Sequence, residues 1–485
     1  MLNRLRGNLG VTSALVAMLI LELFALRSQS AGEIILIAVC GLLAVLVLFR
    51  ADIRKVAVSA ALACAFTLTW NGWFLGPLRP GDALILLTIV LILIANPNDG
   101  FRTPPWWVKQ LPIAIVLVAL LAIFFPMSQD YLANRIVLDA QGRLTQDTKG
   151  SLAMANLGVA FKFIVAIFAT PMAFVGAVRI DKRVARWLGI AFACGAALSG
   201  WAATLDHFGG DFGRLITRIP NKGNRQLGFS GHPNWLAAGV VIAIPFAIWL
   251  LASKRGKESL IGLICLPGLL GGVYASGSRG GAVCAVGVVG LCVLIHPRTR
   301  AHLPTITLAG AVLVGFLAGI VPSIGHAILR ATRLASGSNT GGSDTVRSMV
   351  GHQGVLDFHH SPVYGIGLQA SFDASQVYLQ ELASGGLILF IAMQAYMLGG
   401  LWVSWNSLKR YDMAMACFCS LVGILVLNIF EADLTDRFYY VPAAILIAMV
   451  HSLDLEAEAD GATPAGDVPF ERADGLPPRR TLSRT

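Results

Sequence analysis

Charge is what this sequence has least of. Of its 485 residues, 13% are Asp, Glu, Lys or Arg while 56% are hydrophobic, and the mean hydropathy is +0.70. Soluble globular chains carry about 25% charged residues, so a water-soluble fold is excluded. Cysteine frames are lacking too. The eight cysteines (40, 64, 194, 265, 284, 292, 417 and 419) all fall inside apolar runs and form no CxxC pair. That excludes a disulfide scaffold or zinc ribbon and leaves Cys417 and Cys419 as packing residues. The short alternation of outer-membrane strands is also missing.

What is present is a succession of apolar runs near the ~20 residues that a helix needs to cross a bilayer. Lipid-exposed backbone must satisfy its own hydrogen bonds. The expectation is an all-α polytopic membrane protein with about 12–14 transmembrane helices and a large outward-facing loop. Spans are expected near 9–27, 33–49, 56–75, 83–95, 111–125, 156–178, 187–205, 235–252, 259–276, 281–295, 304–321, 385–405, 412–430 and 438–452. The first follows Arg4 and Arg6 and lacks a small-residue cleavage site, so it reads as a retained helix. The expected organisation is transmembrane helices with short loops over 1–321, a large loop over 322–384 and C-terminal helices over 385–452. A disordered tail over 453–485 is acidic and then Pro- and Arg-rich.

The net charge of +10 does not read as nucleic-acid binding here. In a polytopic chain, basic residues first report orientation. Short links such as Arg50–Lys55, Arg179–Arg186, Lys254–Lys257 and Lys409–Arg410 concentrate Lys and Arg at span ends. They place both termini in the cytoplasm and three long connections (roughly 126–155, 206–234 and 322–384) outside. Trp70, Trp73, Trp106 and Trp107 read as interfacial belt residues. Glu22 and Lys162 stand inside spans without an assigned partner.

Basic residues on the outer side oppose the orientation rule and need another reason. Arg214, Arg218, Lys222 and Arg225 gather in the second outer connection, and Arg279 sits in the turn Ser276-Gly-Ser-Arg-Gly-Gly281. Arg330, Arg333 and Arg347 belong to the third, where Ser343–Leu382 also holds His352, His359, His360 and Glu381 beside Tyr364-Gly-Ile-Gly367. Guanidinium forks bind phosphate oxygens bidentately and stay ionised, so a phosphate-rich ligand is one reading. Pairing with Asp206, Asp211 and Asp344 is the other. Arg279 is hard to explain as decoration, because a charge in so short a turn between apolar spans is costly. His232, before Pro233-Asn234, reads as a helix cap rather than a catalyst.

In their order, these features resemble the O-antigen ligase and polysaccharide polymerase (Wzy-like) superfamily of bacterial membrane glycosyltransferases. The carriers are Arg225, Gly228, Pro233 and Asn234; then Gly277–Gly280; then Ser343, Asp344 and Arg347. His360, Pro362, Gly365 and Gly367 follow, and Tyr378 and Leu379 come before Gly385 and Gly386. Arg79-Pro-Gly-Asp82 is a weaker part of the pattern. The resemblance covers about residues 225–390. It implies a metal-independent enzyme of the bacterial inner membrane without a cofactor, moving a glycan from a polyprenyl (undecaprenyl) diphosphate donor to a glycan acceptor on the extracytoplasmic face. It also implies that Arg279 and Arg347 bind the donor diphosphate. Arg225, Arg218, Arg214, Gln376 and Tyr378 are further candidates for substrate binding. The partners expected are thus the lipid-linked glycan, the acceptor and the bilayer, with no nucleic acid. A flippase or exporter of a lipid-linked saccharide, or a non-catalytic binder, is the alternative.

One departure stands out. The family carries a histidine shortly before the Tyr-Leu pair, proposed to activate the acceptor hydroxyl. Here Ser375 or Gln376 takes that place, and neither is a competent base near neutral pH. Asp373, His360 and Glu381, with His359, are the substitutes the sequence offers.

Overall fold

The computed structural model describes residues 52–72, 79–95, 104–138, 144–146, 153–217, 225–296, 341–369, 376–431 and 434–459. The expected spans at 9–27, 33–49 and 304–321 lie outside them, as do Arg218, Asp373, Trp73 and Glu22.

The described chain is helical because its apolar runs can satisfy their backbone groups only internally. Helix α1 (Ile53–Thr67) is capped by Asp52, whose carboxylate accepts from Arg54 N at 3.1 Å. It pairs with α2 (Pro80–Ala95), and α3 (Trp106–Phe124) follows. A short α4 (Gln129–Ala133) leads into a hairpin of β1 (Ile136–Leu138) and β2 (Leu144–Gln146), antiparallel with Val137 opposite Thr145. That hairpin is a small departure from the all-α expectation.

Helix α5 (Ala153–Ile164) runs through a wide π turn at Val165–Ala169 into α6 (Thr170–Ile180). Pro171 has no N–H to continue the ladder, and the Thr170 hydroxyl donates instead to Val165 O at 3.1 Å. The bundle continues with α7 (Val184–His207), α8 (Pro233–Leu251), α9 (Gly256–Ser276) and α10 (Arg279–Ile295). After them come α11 (Gly341–His360), α12 (Val377–Ser407), α13 (Ala414–Leu427) and α14 (Val441–Ala459). Helix α8 is the hub, buried almost throughout and packed against α7, α9, α10 and α13. Small residues bring α7 and α9 together: a Cβ on Gly272 would stand 2.7 Å from Gly200 Cα.

Among the described residues, seven helices are long and apolar enough to cross a membrane, and three shorter apolar ones accompany them. This is a polytopic membrane protein. Polar ties separate two faces. On one, Arg186 bonds Glu258 and Asp412, and Lys182 Nζ donates to Leu455 O at 2.9 Å. On the other, Arg225 meets Ser276, Ser278 meets Glu431, and Asn71 meets Asp436.

Two sequence expectations change. Trp70 is 1% exposed, donates to Gly195 O at 3.0 Å and meets Phe66 and Phe229 edge-on. Trp107 is likewise buried, against Tyr396. Both are core residues rather than belt residues, because ring partners on neighbouring helices outcompete the interface; Trp106, next to Trp107, is exposed. The second change is in the large loop, whose residues 341–360 form α11, lying across α12 and β1.

Candidate functional site

The site forms where three helix N-termini meet a turn. Helix α10 begins after Ser278, whose Oγ accepts from Gly281 N at 3.2 Å. Helix α8 begins after His232, whose Nδ1 accepts from Asn234 N at 3.2 Å, so this histidine is the cap that its place before Pro233 suggests. Helix α12 begins at Val377, whose N–H donates to Glu431 O at 2.9 Å and Asn428 O at 3.0 Å. The partial positive ends of these three helices face one region, which favours an anion.

Arg225 lies over the α9–α10 turn. Its Nε donates to Ser276 O at 2.8 Å and its Nη2 to Asn234 Oδ1. Gly277 makes this possible: it closes α9 in the left-handed region at φ 60°, and a Cβ there would press on Arg225 Cγ at 3.3 Å. Burial holds the Arg225 guanidinium below its ordinary pKa. Arg347 and Arg279 push the same way, and Glu431 opposes them. The sequence candidates Arg225, Arg279 and Arg347 are therefore brought together, from a loop, from the first turn of α10 and from α11.

Glu431 was not among those candidates. It is 5% exposed, accepts from Ser278 Oγ at 3.3 Å and is bonded by Asn234. Its carboxyl is raised to about 7, chiefly by burial, while Arg347, Ser278, Asn234 and Arg225 pull it down. The sequence signal was its position at the end of an apolar span, opening Glu431-Ala-Asp-Leu-Thr-Asp436. Ser278, which bonds it, lies 153 residues away in the chain, which no local pattern reveals.

The other candidates are placed elsewhere. Arg214 is half exposed and pairs with Asp211 at 3.2 Å. Tyr378 donates to Leu425 O at 2.8 Å, which spends its hydroxyl on packing α13. Gln376 precedes the first turn of α12, beside the backbone of Glu431. Glu381 is fully buried one turn further along α12 and accepts from Gln394 at 2.9 Å. His360 stacks on Tyr131, with ring centroids 3.8 Å apart, at the far end of α11 from Arg347. Thirteen residues of helix span about 20 Å, so the structure does not bring His360 to the arginines. The cause is the helical form of 341–360 within the large loop expected over 322–384.

The glycine-rich turn has a different use. Helix α12 breaks at Gly386, at φ 60°, and the turn at 362–367 docks into the break. Ile366 N donates to Ala383 O, Gly367 N to Ser384 O, Leu387 N to Pro362 O and Ile388 N to Val363 O, at 2.9–3.1 Å. A Cβ on Gly386 would stand 2.4 Å from Val363 O. The freed backbone groups of a broken membrane helix are thus satisfied by protein.

Around this core, Arg79 pairs with Asp436, and Arg437 grips Asp82 through two 2.6 Å bonds. Asn71 joins this pair network to Gly231 beside His232. Exposed Lys162 adds its charge nearby. Among the described residues no three His, Cys, Asp or Glu side chains gather as metal ligands would.

Comparison with curated proteins gives no match. Residues 263–389, from within α9 to just beyond the break in α12, match the family described as O-antigen ligase, which is what this stretch of the chain is similar to.

Proposed function

We propose that this protein is an extracytoplasmic glycosyltransferase of the bacterial inner membrane. It moves a glycan from a polyprenyl-diphosphate donor to a saccharide or lipid-linked acceptor, without a metal. The observation that carries this reading is the meeting of Arg225, Arg279 and Arg347 at three helix N-termini. Breaking the anomeric C–O bond leaves further negative charge on a diphosphate that is already anionic. Fixed guanidiniums and helix ends stabilise that charge without reorganising. Arg225 is held by Ser276 and Asn234 in advance of any ligand, which keeps its geometry ready. Gln376 borders the same space, where the acceptor would approach.

The test is purified protein given a polyprenyl-diphosphate oligosaccharide and a panel of glycan acceptors in chelator. Transfer with release of polyprenyl diphosphate is expected, and the product ladder separates single ligation from polymerisation. Tight donor binding with no release for any acceptor would sink the reading in favour of carriage of the lipid-linked saccharide. Orientation has its own check: a cysteine at exposed His352 should react with an impermeant thiol reagent from the periplasmic side.

A further inference from the structure

We propose that Glu431 is the catalytic base that takes the proton of the acceptor hydroxyl. The proposal rests on the glycosyl-transfer reading above and names the group that stands in for the histidine this chain lacks before Tyr378.

The donor's anomeric carbon is bonded directly to a diphosphate oxygen. A base for the attacking hydroxyl must therefore work within about 3 Å of an oxygen that is itself about 3 Å from that carbon. This confines it to the neighbourhood of the arginines. Glu431 is there: Arg225 and Arg347 both act on its carboxylate, and Ser278, which precedes Arg279, bonds it. Its backbone carbonyl holds Val377 N, so it abuts Gln376, which with Ser375 is where the family pattern has its histidine. Two protein donors, Ser278 and Asn234, reach a carboxylate able to accept about four hydrogen bonds, which leaves capacity for a hydroxyl.

Four other buried carboxylates are placed differently. Asp82 and Asp436 are gripped by Arg437 and Arg79, Asp357 by Arg135, and Glu381, one oxygen of which accepts from Gln394, is fully buried within α12.

In the step, the hydroxyl oxygen forms a bond to the anomeric carbon and its proton passes to Glu431. The anomeric C–O bond to the diphosphate breaks, and its electron pair stays on the diphosphate oxygen beside the arginines. The charged groups that face Glu431 are Arg225 and Arg347, with Arg279 adjacent; Asp436 and Arg437 on its own loop are already paired. Burial raises its carboxyl to about 7. A base works ionised, so the rate should rise with pH through about 7 and level above it. Bound diphosphate adds negative charge, so the limb in kcat should lie above that in kcat/KM.

The experiment compares wild type with Glu431→Gln and Glu431→Asp, measuring binding of a fluorescent polyprenyl-diphosphate glycan and the pH profile of transfer. Glu431→Gln should bind donor like wild type, lose transfer by roughly 10²–10⁴-fold and lose the limb. Transfer by Glu431→Gln near the wild-type rate, with the limb in place, overturns the proposal. If Glu431→Gln does not insert, Glu431→Asp decides: a displaced limb supports the proposal and an unchanged one overturns it. Loss of the limb in Asp373→Asn or His360→Ala, with Glu431→Gln active, also overturns it. Wild type that binds donor without transferring it removes the glycosyl-transfer reading, and this proposal with it.

Discussion

Two groups of arginines share one face of this protein and are used in opposite ways. At the α2 end, Arg437 meets Asp82 fork to fork and Arg79 meets Asp436, each guanidinium having its own buried carboxylate. At the α8–α10–α12 junction, Arg225 feels two guanidiniums and one carboxylate, Glu431. Matched pairs carry their compensation with them and serve as joints. Arg225 and Arg347 act on the same carboxylate beside the positive ends of helices, an arrangement that on the proposed reading attracts an anionic ligand. Arginine content alone does not separate the two groups; the partners do.

The contrast can be broken first at the joint. Arg437→Leu should leave Asp82 buried without its partner and lower stability by about 3–5 kcal/mol, read as an earlier melting transition in detergent. Adding Asp82→Leu should recover much of that loss, because a hydrophobic pair replaces the charges. At the site the same logic predicts stability spared and turnover lost. Arg279→Ala and Arg347→Ala should each reduce transfer about 10²–10³-fold with the melting transition in place. Arg279→Lys should restore only part, since an ammonium lacks the fork. A melting loss in either alanine variant comparable to that of Arg437→Leu would erase the distinction.

Smaller effects sharpen it. Ser278→Ala removes the cap of α10 and a donor to Glu431, at a cost of about 1 kcal/mol in stability together with slower transfer. Tyr131→Phe takes one hydrogen bond from Asp357, leaving the Arg135 pair, and should cost about 0.5–1.5 kcal/mol with transfer unchanged.

Much of this was legible in the sequence because lipid imposes length and hydropathy on any helix that crosses it. The Gly-Ser-Arg-Gly turn and Arg225 were legible because glycines and arginines between apolar runs demand a reason. Glu431 was not, since its meaning comes from Ser278, Asn234 and Arg225, brought to it by packing of α8, α10 and α13. His360 stands apart because residues close in sequence to Arg347 are carried about 20 Å along once their segment is helical. Trp70 and Trp107 misled because an amphipathic ring suits a membrane interface and a helix–helix seam equally well.

The break at Gly386 has a consequence for the geometry of catalysis. Run 362–367 follows two residues behind α11, and four backbone bonds splice it into α12. Asn156 on α5 braces the chain just after this run by accepting from Gln369 N at 3.3 Å. The helix that carries Arg347 is therefore moored to a membrane helix rather than hung from a tether. The depth of that mooring in the helix bundle therefore fixes the height of Arg347, and on the proposed reading the height at which a lipid-borne headgroup would have to present itself.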